Sequence, residues 1–344
     1  MERRTFIKSS TLAGVGLLTS RMSFGKTVAQ PVKKGLRVGI IGLDTSHVLA
    51  FSGEFNKENP APELLGYKVV AAYPQGSKDI QSSVTRVPGY IADIQKLGVE
   101  IVDSIPQLLE KTDVILLESN DGRVHLEQAI PVYKAGKTVF IDKPIAGSLT
   151  DAIALFQAAK DYKVPMFSSS SMRFFKGLKD IVNHPDMGKV IGAGTFGPSS
   201  IEPTHPDYFW YGIHGIELLF AIMGLGCKTV SRVFTPNTDV AVGVWNDNRI
   251  GTYRGLREGR ATFGGHIFGE KKIETLGGDS GGYFPLLVEI AKFFQSGIPP
   301  ITAEDTLEVF TFMEAADESK RRGGVAVELA EIRQKALAEV KRIW

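Results

Sequence analysis

The chain reads as an α/β protein, with a doubly wound parallel sheet in its first half and an α+β region with a mostly antiparallel, open-faced sheet in its second. Three observations predict this. Short β-branched runs alternate with helical stretches as far as residue 171. After residue 172 strand-like runs follow one another across polar turns. A length of 344 residues, 43% hydrophobic and 23% charged, is that of an ordinary globular protein of two domains.

The first-half strands are expected at 36–41, 67–73, 98–103, 114–118, 138–141 and 164–167. Helices are expected between them at 104–111, at 125–135 (stopped by Gly136) and at 151–162, with Thr150 as the cap. In the second half, 190–196, 229–235, 240–245 and 259–268 read as strands. Helices are expected there at 212–223, 283–295, 303–322 and 325–343.

A single cysteine, Cys227, excludes an intrachain disulfide and a multi-cysteine zinc site. A formal charge of +2 is too balanced for a nucleic-acid partner. Much of the positive charge lies at the start. Arg3-Arg4 followed by Phe6-Ile7-Lys8 resembles a twin-arginine export signal, with a short apolar stretch at 11–18 and a small-residue site at Thr27-Val28-Ala29. Residues 1–29 hold five Lys/Arg and one Glu, so the remainder is net −2. A periplasmic or otherwise exported protein is expected, with no membrane span in its mature form, because no later apolar run is long enough.

The turn after the first strand reads Gly42-Leu43-Asp44-Thr45-Ser46-His47. A dinucleotide fingerprint places glycines where the pyrophosphate approaches the backbone at a helix N-terminus. Only Gly42 is kept; Asp44 and His47 stand at the other two positions. A carboxylate there repels phosphate unless a cation intervenes or the side chain turns away to cap the helix. After the second strand, Ser77 and Lys78 suit a ribose phosphate or an ordinary solvated loop.

The most informative motif follows the fifth strand. Asp142-Lys143-Pro144 ends a strand, and the proline holds Lys143 extended at the carboxyl edge of the sheet, where open α/β sheets bind ligands. A lysine there can polarise a hydroxyl or carbonyl oxygen. Together with His125, Arg173-Phe174, the segment Gly212-Ile213-His214-Gly215-Ile216-Glu217 and the tail Pro299-Pro300-Ile301-Thr302, this turn resembles the glucose–fructose oxidoreductase / inositol dehydrogenase (Gfo/Idh/MocA) family over about residues 36–330.

The resemblance implies a Rossmann domain and a second domain that assembles into a homo-oligomer through its sheet. It implies NAD or NADP as cofactor, and a sugar, cyclitol or related polyol as substrate. Combined with export of folded cargo, it implies a tightly held cofactor. Carried over residue by residue, it gives Lys143 and His214 as catalytic. The cofactor side takes Gly42, Asp44, Thr45, Ser46, His47, Ser119, Asn120, His125, Asp142 and Lys143. Arg173, Trp210 and Tyr211 face substrate, the last two in an aromatic run suited to stacking on a sugar.

The family aspartate four residues before the histidine is Trp210 here, with Tyr211 or Glu217 as substitutes and Asp207 out of register. His205, Asp207, His214 and Glu217 match no metal-ligand spacing, and no metal is expected. The expected organisation is an export signal at 1–29, a Rossmann-type domain at 35–171 and an α+β substrate and oligomerisation domain at 172–344. The alternative is a non-redox binding or scaffold protein on the same fold with a degenerate cofactor site.

Overall fold

The computed structural model describes residues 35–343, and the expected export signal lies outside them. The first half runs β1 (Arg37–Ile41), α1 (Ser46–Phe55), β2 (Lys68–Tyr73), α2 (Gln81–Lys96), β3 (Glu100–Ile101), α3 (Ile105–Lys111), β4 (Val114–Leu117), α4 (His125–Lys134), β5 (Val139–Ile141), α5 (Leu149–Asp161) and β6 (Met166–Ser168). The six strands are all parallel, in the order β3-β2-β1-β4-β5-β6. β4 is buried at every residue because helices cover both faces. The order reverses between β1 and β4. That crevice, at the carboxyl ends of the strands, is where an open sheet of this kind takes a ligand.

The second half runs α6 (Leu178–Val182), β7 (Val190–Pro198), a π-helical turn (Tyr208–Gly212) leading into α7 (Ile213–Met223), β8 (Cys227–Phe234), β9 (Thr238–Trp245), β10 (Ile250–Leu256), β11 (Gly264–Gly269), β12 (Ile273–Leu276), α8 (Phe284–Ser296), α9 (Ala303–Arg321), β13 (Val327–Glu328) and α10 (Leu329–Ile343). Its sheet has the order β12-β11-β7-β10-β9-β8-β13. Every pairing is antiparallel except β7 with β10.

α8 packs back on the first sheet. Leu286, Leu287, Ile290, Phe293 and Phe294 share a buried cluster with β1, β2 and β4. The Phe293 ring meets Phe167 edge-on at 4.8 Å. Among the described residues, no helix is long and apolar enough to cross a membrane.

Several elements depart from the expectations, α6, β12 and β13 among those not foreseen. β10 is absent from the sequence reading because two of its three inward positions, Gly251 and Gly255, are glycines, with Tyr253 between them. A Cβ on Gly251 would meet the Trp245 ring at 2.8 Å, and one on Gly255 would meet Ser199 Cβ at 2.8 Å. The packing there comes from neighbours, so the apolar alternation that marks a strand is missing. α2 contains Pro88, which breaks its helical signature. The cap of α5 is Ser148, whose hydroxyl accepts the Asp151 N–H at 3.0 Å. Thr150 lies inside the helix and donates to Glu339 of α10 at 2.9 Å.

Candidate active site

The turn after β1 is built by close approach. Gly42 has φ +91°, and its Cβ position is filled by the backbone and hydroxyl of Ser119 at the end of β4. Only glycine meets both requirements. Thr45 caps α1, with its Oγ1 facing the His47 N–H, and Ser46 is exposed at the first turn of that helix.

Asp44 neither caps the helix nor faces solvent. It is wholly buried. Its carboxylate accepts the Asn120 N–H at 2.8 Å, the Ser83 hydroxyl at 2.6 Å and the Ser77 N–H at 3.3 Å. Burial lifts its pKa above the usual carboxylate value, against the pull of these donors.

The connection from β2 to α2, residues 74–80, is tied down beside it. The Ser77 hydroxyl donates to Asp121 at 2.6 Å. Arg123 bridges Asp121 at 2.7 Å and Asp79 at 2.8 Å. His205 Nε2 lies 3.4 Å from Asp121, and its ring packs against Trp210 at 5.2 Å. Burial pushes the Asp121 carboxyl up, but His205, Arg123 and Ser77 outweigh it and leave it well below the ordinary range. Ser77, a candidate for ribose phosphate, is thus spent on two carboxylates.

At the end of β5, Asp142 and Lys143 serve different partners. Asp142 Oδ2 lies 2.7 Å from His47 Nδ1, with both side chains buried. The His47 ring rests on Phe51 at 5.3 Å and Tyr283 at 4.5 Å. Burial raises the Asp142 pKa, but His47 and then Lys143 more than offset this and hold it below the usual value. Lys143, whose peptide bond to Pro144 is cis, is 6% exposed, and its Nζ sits 5.7 Å from the centre of the Tyr211 ring. No described residue accepts a hydrogen bond from it. Burial lowers its pKa, Asp142 opposes this, and Arg86 adds to the lowering.

His214, delivered by the first turn of α7, completes the cluster. Its Nδ1 is 2.6 Å from the Ser170 hydroxyl. Its ring meets Tyr211 at 5.0 Å and Phe263 at 5.5 Å. Burial, then the charges of Lys143 and His47, hold its pKa well below the ordinary histidine value. The imidazole is therefore neutral at neutral pH, with Nε2 free of any described partner. A buried, unpaired ammonium beside a neutral imidazole is an arrangement that can bind an oxygen and move its proton.

The other expected residues are placed elsewhere. Arg173 is locked against Glu217, and its Nη1 lies 3.9 Å from Asp305. That pairing commits both Arg173 and the carboxylate named as a substitute. Asp207 holds Lys320 at 2.6 Å and Arg232 at 3.0 Å. Trp210 sits with His205, while Tyr211 is the aromatic that reaches Lys143. His125 is fully buried, 2.7 Å from the Ser119 carbonyl and 3.0 Å from that of Ile145, so it clamps two loops together. Among the described residues, no three His, Cys, Asp or Glu side chains are placed to hold a metal ion.

Sequence reasoning passed over Ser170, Phe263 and Tyr283. The signal for Ser170 was its position directly after β6, at the same sheet edge as Lys143. Glu118 was also unread. It is fully buried one residue after β4, and neither oxygen has a hydrogen-bond partner. Burial, reinforced by the charge of Asp142, raises its pKa well above the ordinary value. The stability it contributes is full below the ordinary carboxylate pKa and is lost as pH rises through the folded one. Glu118→Gln is expected to leave thermal stability unchanged near about pH 4 and to add about 1–2 kcal/mol near about pH 9. Calorimetric melting at both values checks this.

Residues 36–170 match the model of the GFO_IDH_MocA family, described as an oxidoreductase family with an NAD-binding Rossmann fold. Among curated proteins, an uncharacterized oxidoreductase of Streptococcus pneumoniae is 28% identical over 156 residues, covering 43% of this chain and 42% of that protein. The myo-inositol 2-dehydrogenase of Thermotoga maritima is 34% identical over 100 residues, covering 28% of this chain and 30% of that protein. The matches thus span less than half the length of these relatives.

Solved structures superpose over most of the molecule. A probable dehydrogenase from Thermotoga maritima gives a TM-score of 0.69 at 22% identity, covering 86% of this chain and 100% of that one. Scyllo-inositol dehydrogenase from Lactobacillus casei, solved with bound NAD(H) and scyllo-inositol, gives 0.70 at 17%, covering 86% and 99%. At these identities the likeness is one of fold.

Proposed function

We propose that the protein interconverts a hydroxyl and a carbonyl on a sugar, cyclitol or related polyol, with NAD or NADP as redox partner. The observation that carries this reading is the Lys143–Tyr211–His214 cluster. Lys143 Nζ has no acceptor among the described residues, and its hydrogen bonds face a substrate oxygen in this reading. His214 Nε2 takes the hydroxyl proton in the oxidative direction and returns it in the reductive one, while Ser170 fixes the ring at Nδ1. Tyr211 and Phe263 exclude water from one side. A nicotinamide dinucleotide, when bound, exchanges hydride with the carbinol carbon.

The fit to that group differs between its two ends. The reacting end offers Lys143 and His214. The pyrophosphate end offers the exposed Ser46 at the start of α1, but Asp44 already holds the neighbouring donors. This resting arrangement argues against a cofactor locked in place. It also favours a second reading, a non-redox binding protein on the same fold.

Export through the twin-arginine route and assembly through the second sheet belong to the same proposal. One row of the sheet's outer face is apolar: Val244, Ile250 and Phe268 line up across β9, β10, β7 and β11, with Ile250 53% exposed, beside the polar Thr252, Arg254 and His266. Such a face suits a symmetric contact with a second copy.

The test uses purified protein, NAD+ or NADP+, and carbon-deuterated polyols including myo- and scyllo-inositol. Mass spectrometry of the dinucleotide is expected to show deuterium on the nicotinamide ring with at least one polyol. Polyol binding by calorimetry with no label transfer to either dinucleotide would instead establish the non-redox reading.

A further inference from the structure

We infer that Asp44 is a built-in competitor for the diphosphate of a dinucleotide, so that the cofactor binds only as residues 74–80 lift off the β1 turn. The inference uses the proposed function only to name the ligand; its geometry stands alone.

A diphosphate at this turn needs backbone N–H groups and hydroxyls facing it at the switch point between β1 and β4. Asn120 N, Ser77 N and the Ser83 hydroxyl surround that place, and all three point at the Asp44 carboxylate. The protein has supplied its own anion.

Segment 74–80 then closes over it. A Cβ on Gly76 would stand 3.4 Å from Asp44 Cβ, 3.0 Å from Ser83 Oγ and 2.8 Å from Val87 Cγ2. The segment therefore lies in van der Waals contact with the turn, with no layer between them for a phosphate. Backbone bonds pull the same way: Gly42 N–H donates to the Tyr73 carbonyl at 2.9 Å and Leu43 N–H to that of Gln75 at 3.2 Å. The ties from Ser77 to Asp121 and from Asp79 to Arg123 fasten its far end to the β4 loop.

Two consequences follow for any dinucleotide. Its binding-competent form is a minor fraction of the resting chain, which weakens the apparent affinity by that fraction. When the segment lifts, Asp44 keeps its charge beside the incoming phosphates. Removing that charge while keeping the shape relieves both.

The experiment is a fluorescence titration of NADH and of NADPH into the wild-type chain, Asp44→Asn and Ser83→Ala, with amide hydrogen exchange followed over residues 74–83. Asp44→Asn is expected to bind at least about tenfold more tightly than wild type, and Ser83→Ala to shift the same way by less. In the wild type, saturating NADH is expected to speed exchange at Ser77, the reverse of ordinary ligand protection, because its N–H loses Asp44. Ser83→Ala keeps the test alive if Asp44→Asn fails to fold.

Equal affinities across the three proteins, binding by none of them, or slower exchange at Ser77 on adding NADH would overturn the inference. A tighter variant that transfers no label from any polyol would leave the inference standing and remove the redox reading.

Discussion

Arg232→Met is expected to lower the unfolding free energy by about 3–5 kcal/mol, measured by chemical denaturation. Arg232 is 1% exposed, in β8 between the second sheet and α9. It pairs with Asp239 and Asp317, reaches Asp207 at 3.0 Å, and lies over the Tyr208 ring at 3.8 Å. Methionine restores much of the volume and none of the charge. Asp239 retains Arg257 at 3.2 Å, and Asp207 retains Lys320 at 2.6 Å. Asp317 has no second ion pair among the described residues.

Burial already pushes the Asp317 carboxyl up to about 7 with Arg232 in place. Losing Arg232 raises it further. A carboxyl whose folded pKa is raised contributes stability below its unfolded value that is lost as pH rises through the folded one. The variant is therefore expected to lose more near about pH 8 than near about pH 5, and addition of Asp317→Asn should recover part of the loss at the higher pH. A variant as stable as wild type at both values would mean that the network contributes nothing to the fold. Tyr208 lies in the π-helical turn that leads to Tyr211 and His214, so the same network supports the site from below.

The parallel sheet was legible because buried parallel strands are continuous apolar runs, as at Val114–Leu117. Lys143 and His214 were legible because each carries a local signature, a proline after one and a helical apolar face around the other. The commitments of Arg173 and Asp44 were not. Each is decided by partners 33 to 76 residues away: Glu217 for the first, and Ser77, Ser83 and Asn120 for the second. A residue type at a motif position says what a side chain can bind, but only the folded chain shows that another side chain has bound it already. Glu118 was hidden for a related reason. A glutamate ending an apolar run reads as the strand's polar terminus, whereas here it is completely buried.

Lys143 separates chemistry from stability most cleanly. Its ammonium is buried with no acceptor among the described residues, so Lys143→Met removes a cost of desolvation that Asp142 only partly offsets, and the variant is expected to melt no lower than wild type. For catalysis the sign reverses. Losing the donor aimed at a substrate oxygen costs about a hundred- to a thousandfold in kcat. His214 should meanwhile become more basic, because Lys143 is one of the charges that depress it. The activity profile is then expected to fall away at a higher pH on its acidic side.

The most direct measurement of the central claim is therefore kcat and melting temperature for wild type and Lys143→Met side by side, on a polyol that the wild type oxidises. The account predicts a loss of at least about a hundredfold in kcat with a melting temperature that is unchanged or raised. Undiminished turnover by the folded variant would contradict it and take Lys143 out of the reaction.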